Sequence, residues 1–219
     1  MQQAFLFDFD GVIADTEGEY TIFWDEVGRK YKGMNGFGSL IKGCTMASIL
    51  NKYFPTDDNA RAGILKGMTE VESKMSYRFV PGVIEFVKKV REKGYKTAII
   101  TSSSKSKMEF VKVKHPEITA LFDVILKDED FAASKPDPDC YLKGMKLLHS
   151  DPSHSVVFED SVNGLLAARK SGAYVVGLVT TNSLETVKEY SDYQIYDFTD
   201  ADAILSHIES AINISTKSF

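Results

Sequence analysis

Cysteine is scarce in this chain of 219 residues: only Cys44 and Cys140 occur, neither in a CxxC pair nor beside a histidine cluster. A disulfide framework and a zinc site are therefore not expected, and both read as ordinary thiols. Long apolar runs are missing too. The stretches TAII near Thr97 and GLLAA near Gly164 fall far short of the ~20 residues that span a bilayer. The start, MQQAFLFDFD, has no basic n-region, no long apolar h-region and no small-residue cleavage site, so the expected address is cytoplasmic. Nor is there a massed basic segment. The 26 basic and 31 acidic residues leave a net charge of −5 with the lysines scattered, which argues against nucleic acid as a partner. No protein partner is indicated, and neither a repeat nor a low-complexity tract occurs.

What is present is an alternation of short apolar runs with longer helical patterns, in a chain whose 43% hydrophobic content suffices for one sizeable core plus a small accessory domain. Strands are predicted at Ala4 to Phe9, Lys96 to Ile100, Asp123 to Leu126, Ser155 to Phe158 and Tyr174 to Val179. Between them lie helical stretches such as VIEFVKKVREKG, in which Val83, Phe86, Val87 and Val90 share one face and Gly94 suits the position after the last turn. Strand, helix, strand is the pattern of a parallel sheet with crossover helices, hence an α/β doubly wound core. Residues 16–79 hold no convincing strand and read as helices broken by KGMNGFGS and FPTDD. They are expected to form a separate helical insertion in a core made of 1–15 and 80–219.

The chemistry-bearing residues gather at strand ends. AFLFDFDGVIAD places Asp8 and Asp10 one residue apart where an apolar run meets Gly11. On a regular strand two such carboxylates point to one face and repel, unless a divalent cation or another positive group lies between them. A turn or a helix cap is the alternative reading of DG. KTAII runs into Thr101, Ser102 and Ser103, hydroxyls suited to a phosphate oxygen or to a helix cap. Lys135 follows in SKPDP, stiffened by two prolines, and SVVF ends in Glu159 and Asp160 before the helical pattern SVNGLLAARKSG. Separate capping and solvation roles leave unexplained the coincidence of acids, hydroxyls, lysine and acids again, each at a strand end.

DFDGV, TSS, KPDPD and FEDSVNGLLAARKSGA, in that order, resemble the four motifs of the haloacid dehalogenase superfamily, in its phosphatase and β-phosphoglucomutase branch. The resemblance runs from Ala4 to about Thr180. It implies a helical cap inserted after the first motif, and phosphoryl transfer through an aspartyl phosphate. On that resemblance Asp8 is the nucleophile, Asp10 the acid and base, and Ser102 and Lys135 hold the phosphoryl group, with Thr101 and Ser103 as lesser contacts. Mg²⁺ is the expected ion, held by Asp8, Asp10 through its backbone carbonyl, Glu159 and Asp160. The expected substrate is a small phosphorylated metabolite. A phosphoacceptor signalling module shares acids, hydroxyl and lysine around Mg²⁺, but it needs no partner acid at Asp10 and its chain would be shorter and capless. A non-catalytic binding protein would not need every chemical position filled.

In the cap, Glu17, Tyr20 and Trp24 fall near i, i+3, i+7 spacing, which serves either a cleft or packing, and packing is favoured for Trp24. Ile41, Lys42, Gly43, Cys44, Thr45 and Met46 resemble the cap loop of β-phosphoglucomutases and sugar phosphatases. Lys42 and Gly43 fit that loop. Met46 stands where the mutase pattern has an arginine, and Tyr20 where it has a histidine, and both departures favour a phosphatase over a mutase; core packing of the cap is the alternative reading of Met46.

Overall fold

The computed structural model describes residues 2–42 and 44–212. Chain contacts divide it into two compact units, Met1–Asp15 with Arg78–Phe219, and Thr16–Tyr77. The first unit holds six parallel strands: β1 (Ala4–Phe7), β2 (Lys96–Ile100), β3 (Val124–Leu126), β4 (Ser155–Glu159), β5 (Tyr174–Leu178) and β6 (Tyr193–Ile195). Their order is β3-β2-β1-β4-β5-β6, so the chain winds outward from β1 in both directions. That makes the carboxyl end of β1 the topological switch point, where open α/β sheets bind ligands.

The second unit consists of α1 (Glu17–Lys32), the single turn α2 (Phe37–Leu40), α3 (Met46–Tyr53) and α4 (Asp58–Lys74). The first unit adds α5 (Val83–Glu92), α6 (Lys105–Lys114), the single turn α7 (Ile118–Leu121), α8 (Asp139–Leu147), α9 (Val162–Ser171), α10 (Leu184–Tyr190) and α11 (Ala201–Ala211).

Alternation along β1 sends its side chains into two different cores. Ala4 and Leu6 join Ala98, Ile100, Tyr141, Met145, Val157, Leu165 and Ala168 on one face. Phe5 and Phe7 meet an aromatic layer on the other: Phe7 stacks on Phe158 at 4.5 Å between centroids and meets Phe86 edge-on at 6.2 Å. A strand buried on both faces reads as a continuous apolar run, which is what AFLF is. Helix α5 presents Val83, Phe86, Val87 and Val90 inward and ends where Gly94 adopts a left-handed φ of 81°.

Two expectations need correction. Strand β1 ends at Phe7 rather than Phe9, because the chain turns at once into a tight loop in which Gly11 N–H donates to Ala14 O at 2.8 Å. Asp10 is therefore not on a regular strand with Asp8, and the same-face argument does not describe it. Strand β6 was not anticipated, since YQI lies in the polar stretch SDYQIYDF and has only three residues in the ladder.

The helical unit has its own core of Phe23, Trp24, Val27, Phe37, Ile41, Ile49, Leu50, Phe54, Ile64 and Met68. Trp24 meets Phe23 and Phe37 edge-on, at 5.3 and 6.2 Å, so it packs.

Candidate active site

Asp8 continues β1 by one residue, its N–H donating to Phe158 O at 3.0 Å, and this backbone hold fixes the carboxylate at the switch point. The side chain is buried, and Lys135 Nζ donates to its Oδ1 at 2.7 Å. The same ammonium donates to Glu159 Oε1 at 2.6 Å and to Ile100 O at 3.2 Å, so one lysine ties together the ends of β1, β2 and β4. Lys135 is only 7% exposed. Burial opposes its charge, but Asp8 and Glu159 outweigh that and hold the ammonium protonated well above the usual lysine range.

Glu159 is a hub. Its Oε1 accepts from Lys135 and from the Tyr141 hydroxyl at 3.1 Å; its Oε2 accepts from Asp160 N–H at 2.8 Å, Ser161 N–H at 2.9 Å and Ser161 Oγ at 3.1 Å. Five donors fill the roughly four lone-pair sites of a carboxylate. The first turn of α9 approaches so closely that a Cβ on Gly164 would overlap the Glu159 carboxyl group. We expect Gly164→Ala to cost about 1–3 kcal/mol by overpacking and to depress activity with it. A melting temperature equal to that of the parent chain would show instead that the Glu159 loop yields freely.

Asp160 is clasped by the loop after β5. Thr181 and Thr180 hydroxyls donate to its Oδ2, the latter at 3.3 Å, and Asn182 Nδ2 donates to its backbone oxygen at 2.8 Å. Thr180 also donates to Gly11 O at 2.8 Å, joining this loop to the one after β1. Gly11 has a φ of +73°, and a Cβ there would strike the Asp160 carboxylate.

Among the described residues, Asp8, Glu159 and Asp160 form one acidic group, with an oxygen of each within 4.8 Å of the others. Of these three buried carboxylates, Asp8 and Glu159 share the Lys135 ammonium. Burial, followed by Glu159 and Asp10, pushes Asp8 up to about 7 against the pull of Lys135. Burial, Glu159 and Asp8 likewise raise Asp160 well above the ordinary carboxylate range. Such a surplus of hard oxygen donors suits a divalent cation that prefers oxygen.

The hydroxyl motif after β2 does several different things. Ser102 is exposed. Thr101 is buried, and its Oγ1 accepts from Ser103 N–H at 3.0 Å, which helps to shape the loop. Ser103 is almost fully buried, and its Oγ donates to Asp10 Oδ2 at 2.8 Å. Lys107 grips both oxygens of Asp10, at 2.6 and 2.5 Å. Sequence reasoning missed Lys107, Tyr141 and the Thr180, Thr181 and Asn182 clasp. The signal for the clasp was a polar strand end, VTTN, of the same kind as TSS.

The cap residues lie in the helical unit. Glu17 Oε1 and Lys42 Nζ pair at 3.6 Å. Tyr20 packs against the cap core and donates its hydroxyl to Glu72 Oε1 at 3.2 Å. Met46 is half-buried against the same core, and Gly43 lies outside the described residues.

A family model for haloacid dehalogenase-like hydrolases covers residues 5–190. The validoxylamine A 7′-phosphate phosphatase of Streptomyces hygroscopicus subsp. limoneus is 25% identical over 91% of this chain and 96% of its own. Glycerol-1-phosphate phosphohydrolase 1 of Saccharomyces cerevisiae is 30% identical over 85% of this chain and 78% of its own. The β-phosphoglucomutase of Clostridium difficile shares the fold at a TM-score of 0.78 and 22% identity, over 98% of both chains. With its six parallel strands, the acids and lysine at their ends and a family match over most of its length, the chain belongs to the haloacid dehalogenase-like hydrolases.

Proposed function

We propose that this enzyme is a Mg²⁺-dependent phosphatase that hydrolyses a small phosphate monoester, a sugar phosphate, through an aspartyl phosphate on Asp8. The observation that carries the reading is the buried group of Asp8, Lys135, Glu159 and Asp160 at the switch point. Asp8 attacks phosphorus in line with the ester oxygen; the bond from phosphorus to that oxygen breaks as Asp10 gives it a proton. Water then attacks the phosphorus of the aspartyl phosphate and passes its proton to Asp10, freeing Asp8 and inorganic phosphate. Lys135 and Ser102 offset charge on the transferring phosphoryl oxygens.

Asp8 and Asp160, with the backbone carbonyl of Asp10, would hold Mg²⁺; Glu159 would supply less of the ligation because five donors already occupy it. When bound, the ion lends positive charge to a site rich in carboxylates. A chelator is expected to abolish phosphate release and Mg²⁺ to restore it. Stability gives a second readout. A carboxylate raised to about 7 stabilises the fold below its unfolded value, and that contribution is lost as pH rises through the folded one. The ion replaces what the proton supplied, so added Mg²⁺ should raise the melting temperature more at about pH 8 than at about pH 6. An equal shift at both would count against ligation by the raised carboxylates.

The phosphatase reading over the mutase rests on Met46 and Tyr20. A mutase must grip the second phosphate of a bisphosphate intermediate, a task for a bidentate arginine. Methionine cannot do it, and Lys42 offers only a point charge. Two phosphatases of small phosphorylated metabolites among the relatives support the same choice. Given β-glucose 1-phosphate and a bisphosphate primer, the enzyme should release phosphate with little conversion to glucose 6-phosphate. Isomerisation outpacing phosphate release would make the mutase reading the correct one.

A further inference from the structure

Lys107 stands third in α6, yet it is only 2% exposed. A lysine in a first turn opposes the helix dipole, and a buried ammonium gives up its hydration, which is costly unless it is well paired. A hydrophobic residue of similar volume would serve packing as well or better. What Lys107 has in return is Asp10. Its Nζ lies 2.6 and 2.5 Å from the two carboxylate oxygens, while Ser103 Oγ donates to Oδ2 at 2.8 Å and the ring of Phe9 lies 5.5 Å from the ammonium. Backbone bonds fix the lysine in turn: Ser104 caps α6 by accepting Lys107 N–H at 3.3 Å. A carboxylate held on both oxygens by one cation, and on one of them by a hydroxyl, has lost its freedom to turn about its last bond. For a group that must meet a single ester oxygen, that orientation is a large part of its worth.

We propose that Lys107, with Ser103, is a positioning residue that orients Asp10 for proton transfer to the leaving ester oxygen and from the attacking water. The inference rests on the reading of Asp10 as the acid and base, and the test separates the two. Leaving-group dependence of kcat/KM is the readout, because p-nitrophenolate departs without a proton while an alkoxide does not. Asp10→Asn should lose far more activity toward glycerol phosphate than toward p-nitrophenyl phosphate. If it loses both alike, the role of Asp10 itself is wrong and the inference falls with it.

With that selectivity in hand, Lys107→Met should lower kcat/KM for glycerol phosphate by about 10–100-fold, part of the 10²–10⁴ that acid–base catalysis contributes. For p-nitrophenyl phosphate the fall should be several times smaller. Lys107→Arg, which keeps the charge and a forked grip, should recover part of the alkyl-ester activity and guards against a Met variant that does not fold. In the Asp10→Asn background, Lys107→Met should add little, since the two act as a unit. Equal losses for both esters, no loss for either, or full additivity with Asp10→Asn would overturn the proposal while leaving the role of Asp10 standing.

Discussion

Replacing Asp8 by Asn is expected to lower phosphate release by about 10⁴-fold or more, in line with removal of a nucleophile elsewhere, while the fold survives. The amide is nearly isosteric and its oxygen can still accept from Lys135. In the proposed mechanism Asp8 forms the covalent bond to phosphorus, so orientation and charge stabilisation alone remain to the variant. Stability should move the other way. Asp8 sits buried beside Glu159 and Asp160, and the neutral amide removes one of three crowded negative charges. Without metal at neutral pH, the variant should melt at or above the temperature of the parent chain. Substantial turnover in a well-folded Asp8→Asn protein would move the nucleophile to another residue.

The second large effect belongs to Lys135, where stability and activity should fall together. Its ammonium is the common partner of Asp8 and Glu159, and removing one member of a buried ion pair costs about 3–5 kcal/mol because the remaining charge is stranded. Lys135→Met strands two. A lysine whose folded value is raised stabilises the fold below its unfolded value and loses that only when pH climbs through the folded one. The loss should therefore span the neutral range and shrink toward acid pH, where the carboxylates take up protons. Activity should fall by about 10²–10³-fold, as for loss of one preorganised group facing the developing charge. Urea denaturation of parent and variant at two pH values, with the rate measured beside it, checks both parts. A loss of rate with unchanged stability would mean that the two short contacts to Lys135 carry no net energy.

How much of this was legible in the sequence depends on the kind of signal. The doubly wound sheet was, because strands buried on both faces must be continuous apolar runs, and AFLF, TAII and SVVF are. β6 was not, because three residues of YQI flanked by serine and aspartate carry no such run. Asp8, Glu159 and Asp160 each stand as a charged residue just after an apolar run, and Lys135 stands out just before the two prolines of SKPDP. Lys107 does not stand out. KSKMEFVKVK reads as a solvated amphipathic start with four lysines, and nothing local tells the one that turns inward from the three that do not. Its partner is Asp10, nearly a hundred positions away, and pairings at that distance are a product of the fold. The same holds for Tyr141, whose ring reads as helix packing and whose hydroxyl reaches Glu159. Thr101 has a role the pattern does not announce: its buried hydroxyl oxygen accepts from Ser103 N–H within its own loop.

The covalent intermediate is the central claim, and trapping it is the most direct test. Enzyme mixed with excess p-nitrophenyl phosphate and Mg²⁺ is quenched in acid within the first turnovers, reduced with borohydride and digested. An aspartyl phosphate is reduced to homoserine, whereas a free aspartate is untouched, so mass spectrometry of the N-terminal peptide reads the site. The expected result is homoserine at Asp8 and not at Asp10, in the substrate-treated sample only. Homoserine at another residue, or none while phosphate release proceeds and a known phosphoaspartate standard is recovered, would contradict the account.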